Sequence, residues 1–434
     1  MNYIKYSKEI AVKGSYDVVV AGAGPAGICA AVAAAREGAK VALVERYGIV
    51  GGCLTVGHVG PILGMVGPGT MRDEVMKLLG VPDNDMIGEV GVAHDIERAK
   101  RVLAEFVDHE KLTVFLQTAV TDVITEGETL TGLLISGKEG PGVLSGKVII
   151  DATGDGDVSY LAGAPIEKGR REDGLTQPVT LEFTIDQVDE ERGVVCIGDV
   201  DDVELGGERF LDFTKRCSEQ GILPENLAAV RLHRTTKPGE RQVNTTQMNG
   251  VDSTCMDQIY PADRELRKQM SLLMDFFHHY LPGYEDCKLI SSGTTLGVRE
   301  SRRVMGEYKL KVQDLIDGAK FPDVIVHNAE FIVDIHNPAG SGQAEEEIQY
   351  VKPYDIPYRC FVPLKADNLL VAGRCISGSH RAHASYRVMS ICMAMGQAAG
   401  IAAAYCAEVG KSPRKADVGE IQKRLMKAGV ELFD

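Results

Sequence analysis

The chain has 434 residues, 44% of them apolar, enough for two or more lobes around substantial cores. Sixty-two acidic against 47 basic residues give a net charge of −15 without long single-sign runs, which argues against a nucleic-acid partner. Ten cysteines without a CxxC pair, and a first stretch "MNYIKYSKEIAVKG" lacking the apolar run of a signal peptide, point to reduced thiols in a cytoplasmic protein.

The first element is an apolar strand in "YDVVVAGAGPAG", followed by Gly22, Gly24 and Gly27 at GxGxxG spacing and an alanine-rich helix. Val18 to Ala35 holds eighteen residues without a charge, the length of a membrane span. Its early glycines and Pro25 instead give a strand, a tight turn and a buried helix. Gly22 lets the chain turn, Gly24 lets a pyrophosphate approach the backbone, and Gly27 lets helix and strand touch. With Pro25 and Ala26 between them, these residues set a helix N-terminus against phosphate charge. The second strand, "AKVALVE", ends in Glu45, eighteen residues past Gly27. A carboxylate there accepts hydrogen bonds from both ribose hydroxyls of an adenosine and repels a 2′-phosphate.

The loop "GGCLTVGHVGP" follows, with Cys53 and His58 five apart; a thiol catalyst and a cofactor-side loop are both open readings. Further on, "GKVIIDATGDGD" runs a strand into a second glycine turn, and "DNLLVAGRCISG" does so a third time. Three such turns point to one dinucleotide gripped along its length. Between them, from about Pro165 to Pro357, strands are expected at "LEFTID", at "GERQVNTTQM" and in a pair within "DVIVHNAEFIVDIHNP", with a helix over Ala262 to Tyr280. This reads as an inserted β-rich lobe capping the crevice, with substrate at the boundary.

"GVRESRRVMGEY" supplies Arg299, Arg302 and Arg303, and "SHRAHASYRV" supplies His380, His383 and Arg387. His383 and Arg387 are four apart and share a face if they lie on one helical turn. Arginine suits a substrate carboxylate and a lobe-to-lobe ion pair equally. The segment "VMSICMAMGQAAGIAAAY" from Val388 is again long and apolar, but Gln397 and two glycines suit a helix packed on other backbone, so no membrane span is expected. His278 and His279 are adjacent and project differently, His327 and His336 lie nine apart, and no cysteine pair has zinc spacing; no metal is expected.

Together these segments resemble the FAD-dependent oxidoreductases with the two-dinucleotide-binding-domain fold. The similarity is closest to the broad bacterial "FAD dependent oxidoreductase" group that includes relatives of the heterodisulfide reductase flavin subunit. It is carried by "VERYGIVGG", "DATGDGD", "LGVRESRRVMGEY", "DIHNP", "IPYRCFVP" and "NLLVAGRCISGSHRAHASYRVMSICMAMGQAAG", from Asp17 to Ala404. The resemblance implies an α/β fold: a Rossmann-like, glutathione-reductase-type FAD-binding domain over 1–164 and 358–434, with a β-rich α+β substrate or cap domain over 165–357. It implies that Gly22, Gly24, Pro25, Ala26, Gly27, Glu45 and Arg46 hold the ADP half, and that Val120 meets the adenine. Gly51, Gly52 and Cys53 would take the pyrophosphate side, and Thr153, Gly154, Gly373 and Arg374 the middle of FAD. Val388 and Met389 would open a helix whose N-terminal amides face the flavin pyrimidine.

Disulfide-reducing members of the wider superfamily carry CxxxxC after this GG; here His58 stands in place of the second sulfur, so no dithiol cycle runs within the loop. Succinate-oxidising relatives attach FAD through a histidine at a position that is Leu54 here, so FAD is expected to be non-covalent. Fumarate- and succinate-type enzymes hold a substrate carboxylate with a His-x-x-x-Arg pair like His383 and Arg387. The expectation is hydride transfer between flavin N5 and a small organic substrate, with a carboxylate-bearing one in view. His58, His383 and Arg299 are the candidates for managing the accompanying proton, and Arg387 for the carboxylate. An electron-transfer subunit serving a protein redox partner is the alternative reading. The other expected partners are the small-molecule substrate and an electron donor or acceptor, with assembly into a homo-oligomer left open.

Overall fold

The computed structural model describes residues 4–5, 7–81, 91–196, 203–344 and 348–433. Its main sheet is built from β1 (Val12–Ala21), β2 (Val41–Val44), β3 (Leu112–Phe115), β4 (Ala119–Glu126), β5 (Thr129–Gly137) and β6 (Gly140–Asp151) in the order β3-β2-β1-β6-β5-β4. Val18, Val19 and Val20 near the end of β1 and the apolar Val41–Val44 of β2 are buried on both faces, as a parallel sheet covered on both sides requires. β1 pairs in parallel with β2 and β6, while β4 and β5 form an antiparallel meander. One edge of β6 is shared: its first part pairs with β5, and its last residues pair in parallel with Leu369–Val371. That late strand brings the C-terminal part of the chain to the end of the sheet where β1, β2 and β6 also finish, which is where a ligand binds in such folds.

Two helices lie against each other beside this sheet. Pro25–Arg36 and Met389–Val409 approach backbone to backbone, because a Cβ on Gly396 would sit 2.0 Å from the Ala26 carbonyl oxygen and one on Gly400 would sit 2.2 Å from that of Ala30. Met389–Val409 is long and apolar enough to cross a membrane, yet residues Met389 to Ala407 are all buried by the rest of the protein. It is a core helix, made apolar all round by burial all round.

A second hydrophobic core runs from Val179 to Leu296, around Phe183, Phe210, Phe276, Phe277 and Tyr284. Over it lies an antiparallel sheet of Leu232–Arg234, Arg241–Val243, Phe183–Asp186 and Lys288–Ser292, in that order. This core is shorter than the 165–357 segment read from the sequence, because Val304, Leu310, Ile325, Tyr354 and Ile356 pack into the main core instead. The long helix spans Met256–Tyr280 and takes Pro261 inside it, so it begins six residues before the expected Ala262. "DVIVHNAEFIVDIHNP" does not pair with itself: Val324–Ala329 pairs with Tyr354–Pro357.

Candidate active site

A cavity of about 770 Å³ opens where the main sheet ends and the second core begins. At one end β2 delivers Glu45, whose two oxygens accept from the Ala23 amide at 2.7 Å and the Tyr47 amide at 2.9 Å. Burial pushes this carboxyl up, and the two backbone donors oppose the shift. Arg46, Tyr47, Thr118 and Val120 close that end, with the Arg46 guanidinium 5.0 Å from the Tyr47 ring centre.

The glycine turns then shape the wall. Gly22 is left-handed with φ 92°, and a Cβ there would meet the Ala152 oxygen at 2.5 Å, so the first and second turns touch. Gly24 caps the Pro25–Arg36 helix without any side-chain hydrogen bond, and a Cβ on it would meet no atom within 4 Å. The space beside uncapped first-turn amides is therefore clear, as a pyrophosphate needs. Gly52 faces it, its would-be Cβ only 2.8 Å from the Gly24 Cα. Gly27 and Gly51 do not line the cavity; they support it from behind.

The second turn is braced from below by buried Asp151, which accepts from Thr153 Oγ1 and Ser159 Oγ, both at 2.7 Å. Arg374 ties the second and third turns together, donating to the Gly154 oxygen at 2.7 Å and to Asp155 Oδ1 at 2.6 Å. Val388 caps the Met389–Val409 helix, again without a side-chain hydrogen bond, and both Val388 and Met389 line the cavity. Cys53 lines it too, with its thiol pushed up by burial, which keeps it protonated. Glycine cradle, ribose-facing acid and free helix amides fit FAD laid along this wall.

Beyond the wall of turns the lining changes character. Arg299, only 8% exposed, donates to the Pro178 oxygen at 3.1 Å and to Asn244 Oδ1 at 3.1 Å, and makes no ion pair among the described residues. Burial, with Arg387 and Arg231 nearby, pushes it down to about 9. Arg387 donates to Asp334 Oδ2 at 2.8 Å, and Gln343 donates to the other oxygen at 2.8 Å. Burial works against the Asp334 charge, but His336 and Arg387 hold its carboxyl well below the usual range. His336 itself is pushed down to about 4 by burial and by Arg299, and is neutral. Glu182 lines the same region, 2% exposed, and burial raises it to about 7 against the opposing pull of Arg299.

The cavity thus takes in Arg299 and Arg387 but neither histidine of the expected set. His58 faces away: its Nε2 lies 2.9 Å from Thr184 Oγ1 and 3.2 Å from Ser291 Oγ, and burial pushes it down to about 4. His383 is wholly buried against Tyr386, ring centres 5.5 Å apart, and burial beside Arg303, Arg387 and Arg374 holds it well below the normal histidine range. Arg387, the C-cap of the His380–Tyr386 helix, keeps helical backbone angles and its amide donates to the His383 oxygen at 3.1 Å, so the two lie one turn apart, yet only Arg387 lines the cavity. Arg302 lines the cavity but pairs with Asp157 at 2.8 Å, and Arg303 pairs with Glu300. Sequence reasoning missed Glu182, Asn244, Asp334 and His336. "LEFTID" did carry a signal, an acid set inside an apolar strand, and "DIHNP" held Asp334 and His336 without a role.

A family profile described as FAD dependent oxidoreductase matches residues 17–425. The chain belongs to this family. FAD is its cofactor. Among characterised relatives, it is 33% identical over 150 residues to the soluble pyridine nucleotide transhydrogenase of Hahella chejuensis, covering 32% of this chain and 30% of that one. It is 29% identical over 198 residues to the thiamine thiazole synthase of Aeropyrum pernix, covering 42% of this chain and 70% of that enzyme. The chain therefore spans about 30% of the length of the transhydrogenase it matches. Of solved structures, a geranylgeranyl bacteriochlorophyll reductase-like protein from Thermoplasma acidophilum aligns over 96% of this chain and 84% of its own, at 14% identity and a TM-score of 0.47. The p-nitrophenol 4-monooxygenase PnpA of Pseudomonas putida aligns over 96% and 83%, at 11% identity and a TM-score of 0.48.

In this flavoprotein, Glu45→Ala is expected to weaken FAD binding by about 1–3 kcal/mol, since a buried acceptor is lost and the Ala23 and Tyr47 amides lose their partner. Titration of the apoprotein with FAD, followed by flavin fluorescence, measures it; unchanged affinity removes Glu45 from the cofactor site.

Proposed function

We propose that this oxidoreductase holds FAD non-covalently and catalyses hydride transfer between flavin N5 and a small substrate that bears a carboxylate. The observation that carries the reading is Arg299, a buried guanidinium in the cavity wall whose hydrogen bonds go only to neutral acceptors. Asp334 and Glu182 act on this guanidinium only through space and neither bonds it, so a buried charge is left without an ion-pair partner among the described residues, which is costly, and an anionic substrate bonded to it relieves that cost. Arg387 does not have the same freedom, because Asp334 already neutralises it; it fixes the geometry of the Asp334–His336 side and offers its remaining donors.

Bound FAD supplies a two-electron acceptor and donor. The chain's residues do the rest: Arg299 and Asn244 orient the carboxylate end, and the second core excludes water from the cavity. In this reading the Val179–Leu296 core is the inserted cap, and the segments 1–164 and 358–434 frame the cofactor in the glutathione-reductase-type arrangement. Leu54 is fully buried and offers no atom for a covalent flavin link, in keeping with dissociable FAD.

The test is anaerobic mixing of the yellow holoenzyme with 2-hydroxy acids, 2-amino acids and the corresponding amides. The reading expects bleaching by an acid and none by its amide. Bleaching by neutral compounds alone overturns it, and bleaching only by a reduced protein donor favours an electron-transfer subunit.

A further inference from the structure

Resting on that reading, we propose that Glu182 is the residue that takes up and returns the substrate proton, and that Gln242, Thr184 and His58 form a hydrogen-bonded brace that holds its carboxylate at the cavity wall. Leu181 and Phe183 point into the second core, so strand alternation turns Glu182 to the opposite side, where it lines the cavity with Arg299, Asn244 and Cys53. Its Oε2 accepts from Gln242 Nε2 at 3.2 Å, and the Gly60 backbone also donates to it. Gln242 is fixed in turn, because its Nε2 donates to the His58 oxygen at 2.5 Å and its Oε1 accepts from Thr184 Oγ1 at 2.9 Å. With its proton committed to Gln242, the Thr184 oxygen accepts from His58 Nε2 at 2.9 Å. The side-chain donors run from a neutral His58 through Thr184 and Gln242 to the carboxylate, while the second Gln242 N–H returns to the His58 oxygen.

The charged groups around Glu182 leave it the free acid of the cavity. Arg299 and Arg231 favour its charge, the Cys53 thiol sits close by, and no cation pairs with it among the described residues. Asp155 and Asp157 are tied to Arg374 and Arg302, Asp334 stays ionised, and His336 stays neutral. Glu182, pushed up to about 7 by burial, changes charge near neutral pH. When a substrate with an O–H or N–H on the reacting carbon is oxidised, its C–H leaves as a hydride with both electrons. The remaining O–H or N–H bond breaks, its electron pair becomes the second bond of the product C=O or C=N, its proton passes to the Glu182 carboxylate, and the flavin would be the acceptor of the hydride. In the reducing direction the same proton returns. The oxidising step therefore needs the ionised acid, so it quickens as pH rises through neutrality.

The test uses wild-type, E182Q and H58Q holoenzymes carrying isotope-labelled glutamate carboxyl carbons, titrated by NMR. One carboxyl signal is expected to titrate near neutral pH in the wild type, to be missing in E182Q, and to titrate higher in H58Q, where loosening the brace weakens the Gln242 donation that favours the ionised acid. With a 2-hydroxy or 2-amino acid that bleaches the wild type, E182Q is expected to bleach about 10²-fold more slowly or worse, with no pH dependence across neutrality. A neutral-pH glutamate titration that survives in E182Q overturns the proposal, as does bleaching of E182Q at the wild-type rate and pH profile. If no such acid bleaches the wild type, the substrate reading fails by itself, and the NMR titration alone decides Glu182.

Discussion

Gly27→Val is expected to leave no folded, FAD-loaded protein. A Cβ on Gly27 would lie 1.8 Å from the Gly22 carbonyl oxygen, a distance no packing tolerates. The usual relief, a small backbone shift, is blocked on both sides. Gly22 already abuts Ala152, and the neighbouring Ala26 carbonyl is in contact with Gly396 of the core helix. Overpacking of this kind costs about 1–3 kcal/mol even where the surroundings can yield. Here it strikes the contact between strand, cofactor turn and two helices at once, against a total stability of roughly 5–15 kcal/mol. Thermal unfolding and bound-flavin content measure the outcome. Gly419→Ala is the control: on the Val418–Lys427 helix its Cβ meets only Asp417 Oδ1, at 3.3 Å, and FAD loading should be unchanged. Yellow Gly27→Val protein with normal melting would refute the close packing of that turn.

Arg299→Ala is expected to raise the substrate dissociation constant by about 10²-fold or more, since a charge-assisted hydrogen bond from a buried guanidinium is lost. FAD content should not change, because Arg299 contacts Pro178 and Asn244 and none of the glycine turns. Arg299→Lys should restore little, because a single ammonium cannot satisfy both fixed acceptors and a planar carboxylate. A second sign separates this account from a purely structural role. Removing a buried charge that no carboxylate among the described residues bonds directly should raise the melting temperature of the substrate-free protein in Arg299→Met. A structural arginine would instead lower it.

The cofactor wall was legible in the sequence because it is made of local signals. Strand, glycine spacing and terminal acid each need only a short window, and Gly22, Gly24, Glu45, Gly154, Gly373 and Val388 all line one cavity. The reacting end was legible only in part, through Arg299 and Arg387, because it is assembled from distant parts of the chain: Glu182, Asn244 and Asp334 meet those arginines there. Sequence position also misleads about side-chain direction. His58 sits six residues after cavity-lining Gly52 yet turns toward Thr184, and His383 is buried against Tyr386 while Arg387, one turn on, lines the cavity. Glu182 was hidden by the same period-two pattern that betrays a strand, since an acid between apolar neighbours reads as a solvated face. In this fold that face looks into the cavity instead.

The central claim, that an anion binds beside the flavin at Arg299, is tested most directly by titrating the oxidised holoenzyme with oxalate, a carboxylate with no hydrogen to give. The account expects a saturable change in the flavin absorbance, with oxamide, its neutral counterpart, producing none. A flavin spectrum indifferent to oxalate and other small carboxylates, yet responsive to oxamide, would contradict it.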